Sequence, residues 1–211
     1  MNKWSVIMPV YTGQYPGCGT KLDEKFVRAV ESFLRQDYPS KELVIVADGV
    51  SNAINLWHHY FATKDEVVFL KIPKKVPRTG IIRNLGMQIA SGNRICYLDA
   101  DDILAKSHLS NLDIRFMDDV DWVWFEDCIA SRVNSIDDYE YRVRPGVRLE
   151  RHKIGTGCIA HKKGLDVTWG DTYSDDWKLI QDLMKYPTKK IKGQTYIVCH
   201  LQQDGRSILD L

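Results

Sequence analysis

Apolar runs too continuous for a strand with one wet face recur through the first half of the chain, each followed by residues at helical spacing. Trp4-Ser5-Val6-Ile7-Met8-Pro9-Val10-Tyr11 stops in Thr12-Gly13 and reads as a strand, with Pro9 tolerable only near its end. Gln14 to Thr20, with Pro16, Gly17 and Gly19, reads as an exposed loop. Leu22, Phe26, Val30, Phe33 and Leu34 then predict a helix over 22–36, stopped by Asp37-Tyr38-Pro39. Glu42 to Ala47 is a second strand and ends in Asp48-Gly49. A helix over about 51–62, a strand over 66–72 and a helix over 81–91 follow. Ile95-Cys96-Tyr97-Leu98 then runs straight into Asp99, Asp101 and Asp102. Strands buried on both faces belong to parallel sheets covered by helices, whose ligand sites lie at the carboxyl ends of the strands. Asp48 and the Asp99–Asp102 cluster are therefore expected on one rim, in four β–α units with sequential buried strands.

The second half is less regular. A helix is predicted over 107–117, with Leu109, Leu112, Ile114 and Phe116 as its apolar positions. Asp121 to Asp127 reads as a strand whose Trp122 and Trp124 serve the core or a pocket. Tyr139 to Glu150 predicts a β-hairpin turning at Pro145-Gly146, and Ile154 to His161 a strand thinned by glycine for close approach. Ser174-Asp175-Asp176 opens a helix, with Ser174 or Asp175 as its cap, and Thr195 to Cys199 is a last strand terminated by His200.

Bulk properties narrow the function classes. With 211 residues the chain suits one well-buried domain, and a net charge of +1 gives no pull toward nucleic acid or an anionic membrane. No apolar window is long enough to span a bilayer, and Met1-Asn2-Lys3 leads directly into a strand, so a cytoplasmic location is expected. Cys18, Cys96, Cys128, Cys158 and Cys199 are odd in number and lack a C-x-x-C pair, which argues for reduced thiols and against a disulfide framework or structural zinc. Neither Gly-x-Gly-x-x-Gly nor the Walker phosphate loop is present, which disfavours dinucleotide redox and P-loop chemistry.

Chemistry concentrates at the strand ends. Three carboxylates within four residues repel one another unless a cation, hydrogen bonds or water offsets them, and Mg²⁺ or Mn²⁺ does so well. Alternatively, Asp101 or Asp102 caps the helix that follows. Arg83, early in its helix, presents a planar fork that suits a diphosphate, or else a surface ion pair. Lys71 to Gly80 is a basic, proline-punctuated loop that suits an anion nearby or simple solvation. Asp176 is a favourable charge in a first turn, and His200 is a strand-end histidine open to a metal role.

Taken together, WSVIMPVYTG, ELVIVADGVSN, RNLGMQIASGNRICYLDADD, SDDWKLIQDL and YIVCHLQQDGRS resemble the family 2 glycosyltransferases of the GT-A fold. The middle block is the specific one. The resemblance implies an α/β fold with a Rossmann-like, mixed but mainly parallel sheet flanked by helices and a small acceptor-side β-hairpin region. It implies one domain over 1–211, with a nucleotide-sugar-binding half (1–105) and an acceptor and catalytic-base half (106–211). By position, Pro9 and Tyr11 belong to the donor site, with Tyr11 stacking on the base; Asp48 bonds the base and Arg83 lies near the ribose and diphosphate. Asp99 and Asp101 form the Asp-x-Asp element, with Asp101 and His200 as ligands of Mn²⁺ or Mg²⁺, and Asp176 is the general base. The activity implied is an inverting, hexosyltransferase-type transfer from a UDP-sugar to a hydroxyl on a glycan, lipid-linked or protein acceptor, in polysaccharide or glycoconjugate synthesis. A homo-oligomer is compatible with it. Thr12, Ala47 and Asp175 depart from the family's usual residues, and little chain follows His200, so acceptor contacts are expected from Trp122 to Gly157 and the end loops. The rivals are a catalytically silent nucleotide-sugar or glycan-binding module of the same fold and a nucleotidyltransferase, the latter lacking a glycine-rich phosphate loop.

Overall fold

The computed structural model of the chain describes residues 1–13, 21–49, 52–74, 79–171, 175–193 and 195–199. The expected loop over 14–20, the middle of the basic loop, Ser174 and His200 lie outside the described residues.

Alternating β and α elements fill the first half: β1 (Trp4–Val10), α1 (Leu22–Leu34), β2 (Lys41–Asp48), α2 (Ala53–Tyr60), β3 (Val67–Ile72), α3 (Thr79–Ile89) and β4 (Arg94–Tyr97). Then come β5 (Ile103–Leu104), α4 (His108–Arg115), β6 (Trp122–Trp124), β7 (Cys128–Val133), β8 (Tyr139–Val143), β9 (Ile159–Lys162), α5 (Asp175–Leu183), β10 (Thr188–Lys190) and β11 (Tyr196–Val198). Among the described residues the main sheet has the order β10-β6-β9-β4-β1-β2-β3, and a smaller one the order β5-β11-β7-β8. β1 runs parallel to both β2 and β4, and β2 parallel to β3, while β9 enters antiparallel between β4 and β6. The sheet is thus mixed but mainly parallel, flanked by helices.

The continuous apolar runs are explained by burial on both faces. Trp4, Val6 and Met8 of β1 pack with Phe26, Val30 and Phe33 of α1, whereas Ile7, with Val44 and Val46 of β2, faces Ile82 of α3 and Leu179, Ile180 and Leu183 of α5. Gly86 lets α3 sit directly on β1, since a Cβ there would come within 2.5 Å of Ile7 Cγ2. At the amino ends of the strands Glu42 acts as a bolt. Its carboxylate accepts from Ser5 Oγ, the Ser91 N–H and Ser91 Oγ, each at 2.5 Å, and so ties β1 and β2 to the turn after α3.

Several expectations are corrected. Of the four strands expected to be buried, β3 is an edge strand with Val68 40% exposed, β4 lying on the other side of β1 from β2. α3 starts at Thr79, before the predicted Ile81. Ile114 is not an apolar anchor of α4, being 76% exposed, while Leu109, Leu112 and Phe116 are buried.

The hairpin does form, but between β7 and β8, so its turn is not at Pro145-Gly146. Residues 134–138 make that turn through their side chains: Asn134 Nδ2 donates to Asp138 Oδ2 at 2.7 Å and the Asp138 N–H to Ser135 Oγ at 3.1 Å. After Val143 the guanidinium of Arg144 is held by the buried Asp127 carboxylate, and the predicted second arm is not a strand. The glycine-thinned strand is shorter than expected. Thr156–Cys158 form a 3₁₀ turn before β9, and Gly157 lies under the ring of Tyr196, where a Cβ would meet ring atoms at 2.4–2.5 Å. Trp122 is core, whereas Trp124 is partly covered by Lys190, whose Nζ sits 4.9 Å from the ring centroid.

Candidate active site

Parallel alignment brings the carboxyl ends of β1, β2 and β4 to one rim, and with them Tyr11, Asp48 and Asp99. Pro9, paired in register with Val46, is buried next to the end of β1, where its missing N–H is tolerated. Asp48 closes β2 with its side chain 4% exposed, and Lys74 Nζ pairs with its Oδ2 at 2.7 Å. The same ammonium lies 3.5 Å from the centroid of the Tyr11 ring. One cation thus bridges the ring and the carboxylate.

Arg83 points from the first turns of α3 under the end of β4. It is 5% exposed, donates from Nη2 to Asp99 Oδ1 at 2.6 Å, and its guanidinium carbon lies 4.6 Å from the ring centroid of Trp169. Trp169 is itself fixed by Asn84, whose Nδ2 donates to the Trp169 carbonyl at 3.1 Å and whose Oδ1 accepts the Trp169 N–H at 2.9 Å. The Trp169 ring also meets Tyr97 edge-on at 4.8 Å. The Arg-Asn-x-Gly motif therefore has a physical reading: Arg83 sets Asp99, Asn84 sets the platform under Arg83, and Gly86 lets the helix close on the sheet. Trp169 escaped the sequence reading because a lone tryptophan in an irregular stretch has no periodic signal; its nearness to the acidic helix start was the one clue.

The three acids after β4 separate by environment. Asp99 and Asp101 are partly exposed, while Asp102 is 1% exposed and turned inward. The Asp102 N–H returns to the Asp99 carbonyl at 3.1 Å, and its carboxylate accepts from Tyr196 and the Cys199 N–H. Neither Asp101 nor Asp102 is the cap of the following helix: Ser107 stands at that position, with no side-chain cap bond. Among the described residues no cluster of three or more His, Cys, Asp or Glu is arranged to hold a metal ion.

Asp176 lies in the first turn of α5, which packs against α3, and its Oδ1 accepts the Trp177 N–H at 2.8 Å. Cys96 and Cys199 are buried, as small core residues would be, and burial raises both thiols far above their ordinary range. No helix among the described residues is long and apolar enough to cross a membrane.

The glycosyl transferase family 2 profile matches residues 5–153. The chain belongs to that family. Curated relatives include glycosyltransferase GlyG of Streptococcus pneumoniae, 28% identical over 109 residues, covering 51% of this chain and 33% of that protein. An uncharacterized glycosyltransferase of Escherichia coli, YibD, is 28% identical over 102 residues, covering 48% and 26%. This family 2 chain therefore aligns with about a quarter to a third of those relatives' length. Among solved structures, Staphylococcus aureus TarS 1–349 in complex with UDP-GlcNAc superposes with a TM-score of 0.68 at 16% identity, covering 93% of this chain and 58% of that one. Mannosyltransferase PcManGT from Pyrobaculum calidifontis, in complex with GDP-Man and Mn²⁺, gives 0.66 at 14%, covering 96% and 58%. The fold is GT-A.

Proposed function

We propose that the chain is a metal-dependent, inverting glycosyltransferase that moves a sugar from a nucleoside diphosphate, UDP, to an acceptor hydroxyl. The observation that carries this reading is the convergence of Tyr11, Asp48 and the Arg83–Asp99 pair at one rim of a family 2 sheet. Structural relatives of the same fold are solved with UDP-GlcNAc and with GDP-Man and Mn²⁺, which supports the donor class and the metal.

The residues present suit a diphosphate-bound cation better than a fully protein-coordinated one. Asp102 is committed inward, so the described rim offers Asp99 and Asp101, to which His200 in the next stretch of chain would add a ligand. Mg²⁺ and Mn²⁺ sites of this kind take one or two carboxylates and fill the rest with substrate oxygens and water. When bound, the cation supplies charge neutralisation at the leaving diphosphate.

The remaining chemistry falls to the chain. Tyr11 offers its ring to the base and Asp48 a carboxylate to a base N–H, once Lys74 gives way. Arg83, desolvated between Asp99 and Trp169, holds the rim carboxylate in one direction and adds positive potential where diphosphate charge grows. Asp176 takes the acceptor proton as the hydroxyl attacks C1 from the face opposite the diphosphate, which inverts the anomeric centre. One base suffices, because the leaving group needs no protonation. The 106–211 half then supplies the acceptor side, with residues 122–157 as its contacts.

The test is the melting temperature with UDP, GDP, CDP, ADP and their sugar conjugates, with and without Mn²⁺, for the wild type and Asp101→Asn. A Mn²⁺-dependent shift selective for UDP, lost in Asp101→Asn, is expected. Absence of any shift would refute the donor reading, and a shift with nucleoside triphosphates together with pyrophosphate release from a sugar phosphate would replace it by nucleotidyl transfer.

A further inference from the structure

We infer that Tyr196 and Asp102 are positioning residues for the acid rim, acting through Asp99 and the turn that carries Asp101; this rests on the metal-and-donor reading above. Tyr196 Oη donates to Asp102 Oδ2 at 2.7 Å and accepts the backbone N–H of Asp99 at 3.1 Å. A single phenol oxygen thus joins the first and last acids of the Asp99–Asp102 turn. The other oxygen of Asp102 accepts the Cys199 N–H at 2.8 Å, so the carboxylate spans the start and end of the last strand. Arg28 of α1 reaches the same turn, donating to the Asp101 carbonyl at 2.6 Å.

The clasp is built into the core. Tyr196 and Asp102 are 2% and 1% exposed, and the Tyr196 ring fills the space that Gly157 leaves. β5 and β11 set the same register through Tyr196–Leu104 and Ile197–Ile103 pairing. Burial, and then the charge of Asp102, push the phenol well above its ordinary range, so it keeps the proton that it donates. A buried carboxylate and a backbone N–H that share one hydroxyl are costly to leave unsatisfied, which confines the turn to one geometry. Asp99 is consequently fixed twice, at its main chain by Tyr196 and at its carboxylate by Arg83. Asp101 projects from a turn whose backbone has little freedom left. Supporting shells of this kind set the affinity of the ligands that they hold, by about 10–100-fold.

The experiment measures UDP binding by calorimetry and Mn²⁺ occupancy by electron paramagnetic resonance, without acceptor, in the wild type, Tyr196→Phe, Asp102→Asn and the double variant. Tyr196→Phe removes one oxygen and keeps the ring over Gly157. Each single variant is expected to raise the Mn²⁺ concentration needed for UDP binding by about tenfold or more, leaving metal-free UDP binding unchanged. The double variant should lose little beyond either single one, because both break the same clasp. Asp102→Asn keeps an oxygen for Cys199 and gives the same readout if Tyr196→Phe does not fold. Wild-type metal dependence in a folded Tyr196→Phe, or losses that multiply in the double variant, would overturn the inference. Failure of the underlying reading looks different: the wild type itself would bind UDP without regard to Mn²⁺, and the inference would fall with it.

Discussion

Glu42 gives the sharpest prediction about what keeps the rim in shape. It sits at the opposite end of the strands from Asp48 and ties β1 and β2 to the turn between α3 and β4. Burial alone would raise its carboxyl, but the hydrogen bonds from Ser5 and Ser91 outweigh burial and lower it from 4.5 to about 2. The group is 7% exposed on its side chain, so solvent screening removes little of the effect. Lys3, 41% exposed, adds little. A carboxyl held that far below its unfolded value contributes about 3 kcal/mol, fully present above pH 4.5 and lost as the pH falls toward 2. Glu42→Gln keeps the shape and removes the titration. At neutral pH it is expected to melt lower by roughly 6–12 °C, using about 2–4 °C per kcal/mol for a chain of this size.

The difference between the two proteins should then shrink below pH 4.5. Two buried histidines also destabilise the fold in acid: burial lowers His108 to about 3 and His161 to about 4, so the unfolded chain binds protons first as the pH drops below 6.5. Both proteins share that loss, so the difference between their urea or thermal unfolding curves, followed by circular dichroism across pH, isolates Glu42. A gap that stays constant from neutral to acid pH would refute the reasoning, as would a Glu42→Gln variant as stable as the wild type at neutral pH.

Asp176→Asn is expected to retain donor and Mn²⁺ binding while transfer to acceptor falls by about 10²–10⁴-fold, checked by calorimetry beside a coupled nucleotide-release assay; transfer within tenfold of the wild type would remove Asp176 as the base. Arg83→Lys keeps a charge but loses the guanidinium over the Trp169 ring and the planar donor to Asp99, so donor binding with Mn²⁺ should weaken by about tenfold. An unchanged dissociation constant would reduce Arg83 to a structural cation.

How much of this was legible in the sequence depends on the kind of signal. Period and punctuation carried the first half: buried strands ending in Asp48-Gly49 and Asp99-x-Asp101-Asp102 specify a parallel sheet and a single rim, because strands with both faces covered cannot alternate. Motif order carried the family. Side-chain turns were harder, and Asn134–Asp138 outcompeted the more obvious Pro145-Gly146 as the hairpin turn because the Ser135 hydroxyl accepts the Asp137 and Asp138 N–H groups and the Asn134 amide ties down the Asp138 carboxylate. Environment was not legible at all. Three neighbouring aspartates look equivalent in the chain, yet tertiary contacts with Tyr196 and Cys199, 94 and 97 positions away from Asp102, turn that one inward and leave its neighbours at the rim. Likewise Trp169 and Asn84 meet across 85 positions to seat Arg83. Local sequence determined where strands end and acids fall, since those follow from nearest-neighbour sterics and hydrophobic period. Which acid turns inward and which stays at the rim was decided by partners that only the packed fold brings within hydrogen-bond reach.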